Sequence, residues 1–359
     1  MRVPAAVSLS LIVCLLVFAG PACGGPGLLV GVHDDQIKWT ERAPAILRPV
    51  RALGLDAMRV TIRWQPGRRN LTGRDHTELM RAVAASKRGV RVVLGVFGLA
   101  TDAPRSRAAR EDYCRFVRNA LRRYTEITDV VIWNEANSAT FWQPQTDAPE
   151  AYSALLARCW DVLHRAAPWV NVLTTTAANQ DPGAFVERMA AAYRESGRRR
   201  PLFDTVGHNP YPLTPDEPPT ASHAVYVGLG DYDRFVATLD DAFAGTAQPR
   251  TPLWYLEIGF QTAVAPTRRL QYGGYETATR TLTPESQATQ VATALRVAYC
   301  QPRVTAFFNF LLVDEPSLEG WQSGLLWANW KRKPAFAAYG AAIDEIRRGD
   351  VDCGAVWPG

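Results

Sequence analysis

Lysine is nearly missing from this chain: only Lys38, Lys87, Lys331 and Lys333 stand among its 40 basic residues, and the rest are arginine. With the many alanines this looks like a coding bias, so the net charge of +5 says little about partners. Basic clusters such as Arg198-Arg199-Arg200 carry no interleaved aromatics and fall between a helix-like and a strand-like segment. They read as solvated loop and exclude a nucleic-acid partner. Beyond the N-terminus no segment approaches ~18 consecutive apolar residues, which excludes a membrane span there. No His-x-x-x-His or Cys-x-x-Cys spacing occurs, so no metal site is expected. A Gly-x-Ser-x-Gly elbow is also missing, which argues against a serine hydrolase. No cofactor is expected.

What is present begins with Arg2, an apolar run from Val7 to Phe18, and the small residues Ala19-Gly20-Pro21-Ala22. This is a secretory layout, so residues 1–22 are expected to be a signal peptide, cleaved or retained as an anchor; the other reading is a buried N-terminal element. The expected location is secreted or associated with the cell envelope. Removing Cys14 with the signal leaves Cys23, Cys114, Cys159, Cys300 and Cys353. Cys23 is placed for lipid anchoring to a membrane, although Gly20 stands where a lipobox normally has Leu. The other four either pair in an oxidising compartment, Cys114 with Cys159 and Cys300 with Cys353 on neighbouring helices, or stay as buried thiols.

Eight apolar, β-branched runs recur along the chain: Leu28 to His33, Ala57 to Trp64, Arg91 to Phe97, Asp129 to Trp133, Val170 to Thr176, Thr205 to His208, Leu253 to Glu257 and Val304 to Leu312. Between most of them lie segments with helical spacing, such as Arg110 to Tyr124, Glu150 to Ala166, Gly183 to Arg194 and Pro284 to Tyr299. Thr283-Pro284-Glu285 reads as an N-cap with proline in the first turn. Strand and helix alternating eight times predicts an α/β fold, a single (β/α)₈ barrel over 27–345 with a tail at 346–359. A doubly wound sheet is the alternative, but Val32-His33-Asp34-Asp35 follows the first strand where a glycine-rich phosphate loop would stand. Long loops after strands six (Pro212 to Gly230) and seven (Gln261 to Thr283) are expected to shape a cleft at the C-terminal face of the strands.

Two glutamates end apolar strands: Glu135 in Trp133-Asn134-Glu135-Ala136-Asn137 and Glu257 in Trp254-Tyr255-Leu256-Glu257. Paired carboxyls about 5 Å apart are what retaining glycosidases use to protonate the leaving oxygen and attack the sugar carbon. At this point the sequence resembles the clan A glycoside hydrolases, retaining (β/α)₈ barrels whose acid/base Glu follows an Asn after strand four and whose nucleophile ends strand seven. Gly54-Leu55-Asp56-Ala57-Met58-Arg59-Val60 is similar to the strand-two motif of family 5. His208-Asn209-Pro210-Tyr211-Pro212 is similar to the strand-six segment that supplies a His and a Tyr near the nucleophile. Trp133 to Asn137, with Phe141-Trp142, Tyr152 and Leu155-Leu156, resembles family 39 most closely, and Ser323-Gly324-Leu325-Leu326 with Lys333-Pro334-Ala335-Phe336 resembles the stretch after strand eight. Phe97-Gly98 stands where family 5 has a His, and Phe308-Asn309-Phe310 where many members have a Trp.

The resemblance implies Glu135 as acid/base and Glu257 as nucleophile. A buried carboxylate needs a charged or hydrogen-bonded partner, and Arg59 could reach Glu257 across the barrel. Asn134 is expected to meet the sugar 2-hydroxyl, Tyr211 to hold Glu257, and His208 to hold the acid/base or a sugar hydroxyl. His33 and Asp34 are weaker candidates. Of Trp64, Trp142, Trp321, Trp327 and Trp330, all near predicted strand ends or loops, Trp142 and Trp327 are expected to stack on sugar rings. The expected activity is hydrolysis of β-linked oligo- or polysaccharides. A glycan-binding barrel without catalysis and a transglycosylase are the alternatives.

Overall fold

The computed structural model describes residues 25–39, 43–277, 279–280 and 282–357. The expected signal segment 1–22 and Cys23 lie outside the described residues. Eight strands form one parallel sheet: β1 (Leu29–His33), β2 (Ala57–Arg63), β3 (Arg91–Phe97), β4 (Asp129–Ile132), β5 (Asn171–Leu173), β6 (Val206–His208), β7 (Leu253–Ile258) and β8 (Val304–Phe310). Their order is β5-β4-β3-β2-β1-β8-β7-β6. Parallel bridges Leu173↔Thr205 and Ala177↔Asn209 join β5 to β6 and close the barrel. This is the expected (β/α)₈ architecture, with strands that read as near-continuous apolar runs because both faces are covered. The fifth run was expected to reach Thr176, yet the ladder there spans three residues.

Helices follow from amphipathic spacing and capping. Thr283 accepts from the Ser286 amide at 3.1 Å and Pro284 opens the helix Pro284–Cys300. Asp181 with Pro182 and Lys333 with Pro334 open Pro182–Glu195 and Pro334–Arg348 in the same positions. Cys114 and Cys159 join the helices Arg107–Arg123 and Ala148–Ala166, and Cys300 joins Cys353 of the short helix Cys353–Val356. Both expected pairs therefore form. No helix among the described residues is long and apolar enough to cross a membrane.

Inside the barrel, Ala57, Val93, Val131, Leu173, Trp254, Leu256, Ala306 and Phe308 form an apolar plug. Arg59, Asn134 and Glu257 are buried near it. At Gly207 of β6 a side chain would meet the Thr174 carbonyl oxygen at 2.2 Å, so the tight interior needs glycine there. The loops after β7 and β8 are fastened by a buried ion pair. Lys333 Nζ lies 2.7 Å from Asp314 Oδ1 and donates to Thr262 Oγ1 and the Gln322 carbonyl, both at 3.0 Å. Tyr272 donates to Asp314 Oδ2 at 2.7 Å. The loop after β6 is held by Tyr226, which donates to the Tyr211 and Pro212 carbonyls at 3.0 and 3.1 Å.

Candidate active site

Glu257 faces the barrel interior because β7 slips register against β8. Tyr255 pairs with Phe307 and Ile258 with Asn309, so three steps on β7 match two on β8. Such a bulge re-aims side chains: Tyr255 and Ile258 pack outward, while Leu256 joins the interior plug and Glu257 turns to Arg59. Arg59, fully buried on β2, donates Nη1 to Glu257 Oε1 and Nη2 to Asn134 Oδ1 at 3.0 Å. His33 Nδ1 lies 3.2 Å from Glu257 Oε1 and 2.9 Å from Arg59 Nη1. Tyr211 donates to Glu257 Oε2 at 3.2 Å. Burial alone would raise the Glu257 pKa; the charge of Arg59 and the nearby His33 outweigh it and hold the carboxyl down at about 2.

Glu135 is presented by a strained turn. Trp133 and Glu135 adopt φ of 65° and 38°, in the left-handed region that bulky residues avoid. Strain of about 1–3 kcal/mol per residue persists only where the surroundings over-determine it. Here Trp133 is boxed by Trp64, Tyr113 and Trp142 at ring separations of 6.3, 5.8 and 5.8 Å, contacts worth about 0.5–1.5 kcal/mol each. Its indole also donates to the Phe141 carbonyl at 2.7 Å, so the cage offsets the strain. Asn137 ties the same turn to the segment that follows β5, accepting from the Ala177 amide at 2.8 Å and donating to the Ala177 carbonyl at 3.1 Å. Glu135 Oε1 accepts from Asn209 Nδ2 at 2.6 Å. Burial, and then the negative charge of Glu257, push its pKa up to about 7, against the lowering by Asn209 and Arg59. The two carboxyls are thus poised oppositely, one a proton carrier near neutrality and the other ionised. Because Asn134 accepts from Arg59 through its amide oxygen, its amide nitrogen is the end left to donate.

Glu135, Glu257, Arg59, Asn134, Tyr211 and His33 therefore come together. His208 does not join them. It faces outward from β6, with Nδ1 2.9 Å from Thr176 Oγ1, Nε2 2.8 Å from the Val227 carbonyl and its ring 4.7 Å from that of Phe235. Burial lowers its pKa to about 4 and keeps it neutral. Its neighbour Asn209 holds Glu135 instead, a residue inside the strand-six motif to which the sequence reading gave no role. Trp142 is fully buried against Trp133 and Tyr152 and has no free face for a sugar. Trp327 is buried too, with Arg268 and Lys333 over its ring at 4.4 and 4.7 Å. Trp321, by contrast, is an exposed ring near the carboxyls, 38% exposed and 5.3 Å from both Tyr211 and Phe310. Asp34 accepts from the Gln36, Leu312 and Val313 amides at 2.8, 3.0 and 3.0 Å, fastening the loop after β1 to that after β8.

Beside these groups lies a cavity of about 510 Å³, walled by His33, Thr61, Phe97, Asn134, Glu257 and Phe310 among others. Among the described residues no cluster of three or more His, Cys, Asp or Glu side chains has the arrangement to hold a metal ion.

The chain matches no family model, and no curated protein matches it by sequence. Solved structures do match in fold. A family 39 glycoside hydrolase from Bacteroides cellulosilyticus superposes with a TM-score of 0.66 at 17% identity, over 90% of this chain and 65% of that one. A monomeric beta-xylosidase from Caulobacter crescentus gives a TM-score of 0.59 at 18% identity, over 90% of this chain and 68% of the other. GH5_18 from Streptomyces cattleya, in complex with GlcNAc, gives 0.59 at 20% identity, over 89% of this chain and 80% of the other. At these identities the likeness establishes the barrel fold, and the chain spans about two thirds of the first two relatives' length.

Proposed function

We propose that this protein is an exported retaining glycoside hydrolase that cleaves β-linked oligo- or polysaccharides by double displacement. The observation that carries the reading is the contrast between two carboxyls beyond β4 and at the end of β7. Glu257 is ion-paired to Arg59 and bonded by Tyr211, which holds it ionised, while Glu135 has only the Asn209 amide among the described residues and is raised by burial and by the charge of Glu257. Environments that push paired carboxyls apart in this way assign acid and base roles. The resemblance in strand position and the glycoside hydrolases among the structural neighbours support the same reading.

In the proposed reaction an oxygen of ionised Glu257 attacks the anomeric carbon as the glycosidic bond breaks, and the Glu135 proton passes to the departing oxygen. A glycosyl ester on Glu257 results. Glu135, now a carboxylate, takes a proton from water, and the water oxygen attacks the anomeric carbon and frees Glu257. Arg59 and Tyr211 hold the nucleophile while Asn209 holds the acid. The amide nitrogen of Asn134 is proposed to donate to the sugar 2-hydroxyl, a contact that strengthens as the oxocarbenium-like transition state develops. The two disulfides support export, since such bridges persist in oxidising compartments.

The test is the first-formed anomer. Proton NMR during hydrolysis of a panel of aryl β-glycosides is expected to show the β-anomer appearing first and then mutarotating. An α-anomer formed first would overturn the retaining assignment.

A further inference from the structure

A second cavity, of about 660 Å³, adjoins the first and shares Asp35, Trp39, Thr61, Phe97 and Phe141 with its walls. Both volumes fall in the ~300–1,000 Å³ range of small-molecule sites. Which part of a glycan they would face follows from the placement of the carboxyls, and so rests on the hydrolase reading. Glu135 is tethered to Asn209 at the end of β6, so the leaving group departs on the β5–β6 side. The first cavity opens on the other side, walled from Phe310 of β8 through His33 and Thr61 to Phe97 of β3, and takes the sugar attacked by Glu257. An enzyme that trims terminal sugars needs that cavity closed beyond one ring. Here it continues over β2 and β3 into the second.

The junction has a platform and a donor. Trp39 is 58% exposed although it lines both cavities. Lys38 sits over its ring at 5.4 Å and is itself pinned, 2.9 Å from Asp35 and 3.2 Å from Thr61 Oγ1, so the ring is mounted on a buried support. Sugar rings present C–H faces that pack on such aromatic surfaces. Among the cations around the second cavity, Lys38, Arg68 and Arg74 are each paired with a carboxylate. Arg63, exposed at the end of β2, has no side-chain partner among the described residues, which leaves its five N–H donors for hydroxyl groups.

We infer that the second cavity is a glycone subsite, where the sugar preceding the cleaved residue stacks on Trp39 and accepts hydrogen bonds from Arg63. The enzyme then acts on chains and releases oligosaccharides from them.

The experiment uses the full chain and β-1,4-linked oligosaccharides of glucose, xylose and mannose, one to five units long. Binding to the Glu135→Gln protein is measured by calorimetry, and hydrolysis by the unmodified enzyme is measured on aryl glycosides of the mono- and disaccharide. In at least one series affinity rises tenfold or more from one unit to three, and kcat/KM rises similarly from aryl monoside to aryl bioside. Trp39→Ala removes most of that gain and Trp39→Phe keeps part of it, so that kcat/KM falls more for the bioside than for the monoside. Affinity independent of length in every series, or a length gain that survives Trp39→Ala, would overturn the subsite. Absence of any hydrolysis would overturn the hydrolase reading alone, because the binding series still reports on the groove.

Discussion

Arg59 and Glu257, 198 positions apart in sequence, meet as an ion pair inside the barrel, and the same guanidinium steers Asn134. The pair sets the charge state of the site, since burial would otherwise raise the Glu257 carboxyl and weaken it as a nucleophile. Replacing one partner of such a pair leaves a buried charge alone, at a cost of about 3–5 kcal/mol. Arg59→Met is therefore expected to lower Tm and to reduce kcat/KM at least 100-fold. The acid limb of its pH profile should move to higher pH as Glu257 loses its main counter-charge. An unmoved acid limb would mean that Arg59 does not control Glu257.

Asn209 donates to Glu135, and a hydrogen bond to the ionised form lowers a carboxyl pKa. Asn209→Ala should raise the Glu135 pKa further and shift the basic limb upward. It should also cost about tenfold in kcat for poor leaving groups, because the acid is less well aimed. His208→Gln should leave both limbs in place, since His208 bonds only to Thr176 and the Val227 carbonyl among the described residues.

This contrast marks where sequence reading stopped. The strand-six motif was legible as a unit, but which of two adjacent residues faces inward depends on register, and a one-residue step reverses the face. The same holds at β7, where the bulge that turns both Leu256 and Glu257 inward leaves no mark in composition. Strand number, order and the two glutamates were legible because parallel barrel strands are continuous apolar runs and a charge at their end stands out. The tryptophans were not. Trp142 and Trp321 both sit in loop-like sequence, and only packing decides that the first cages Trp133 while the second lies open beside Tyr211.

The pH dependence follows from the opposite shifts. Activity needs Glu135 protonated and Glu257 ionised, so kcat/KM should hold from mildly acidic pH and fall tenfold per unit above about 7. Stability carries the same signature. The folded-state pKa of Glu135 is raised above its ordinary value, so its contribution is fully present below about 4.5 and is lost as pH rises through about 7. Glu135→Gln, which cannot ionise, should gain Tm relative to the unmodified protein at pH 8 more than at pH 4. An equal difference at both values would contradict a raised Glu135.

The bridges Cys114–Cys159 and Cys300–Cys353 close segments of 45 and 53 residues. Loop closure in the unfolded chain is worth about 4 kcal/mol for each. Thermal unfolding with and without a thiol reductant should show a clear fall in Tm on reduction. An unchanged Tm, with the thiols shown to be free by alkylation, would mean that the bridges do not stabilise the fold.

The most direct test of the two-glutamate account is azide rescue of each alanine variant on an activated aryl β-glycoside, with the configuration of the glycosyl azide read by NMR. Glu257→Ala should be inactive in water and recover with azide to give the α-glycosyl azide, because azide replaces water on the face the nucleophile vacated. Glu135→Ala should form its glycosyl-enzyme and yield the β-glycosyl azide. The same anomer from both variants, or full activity in Glu257→Ala without azide, would contradict the assignment.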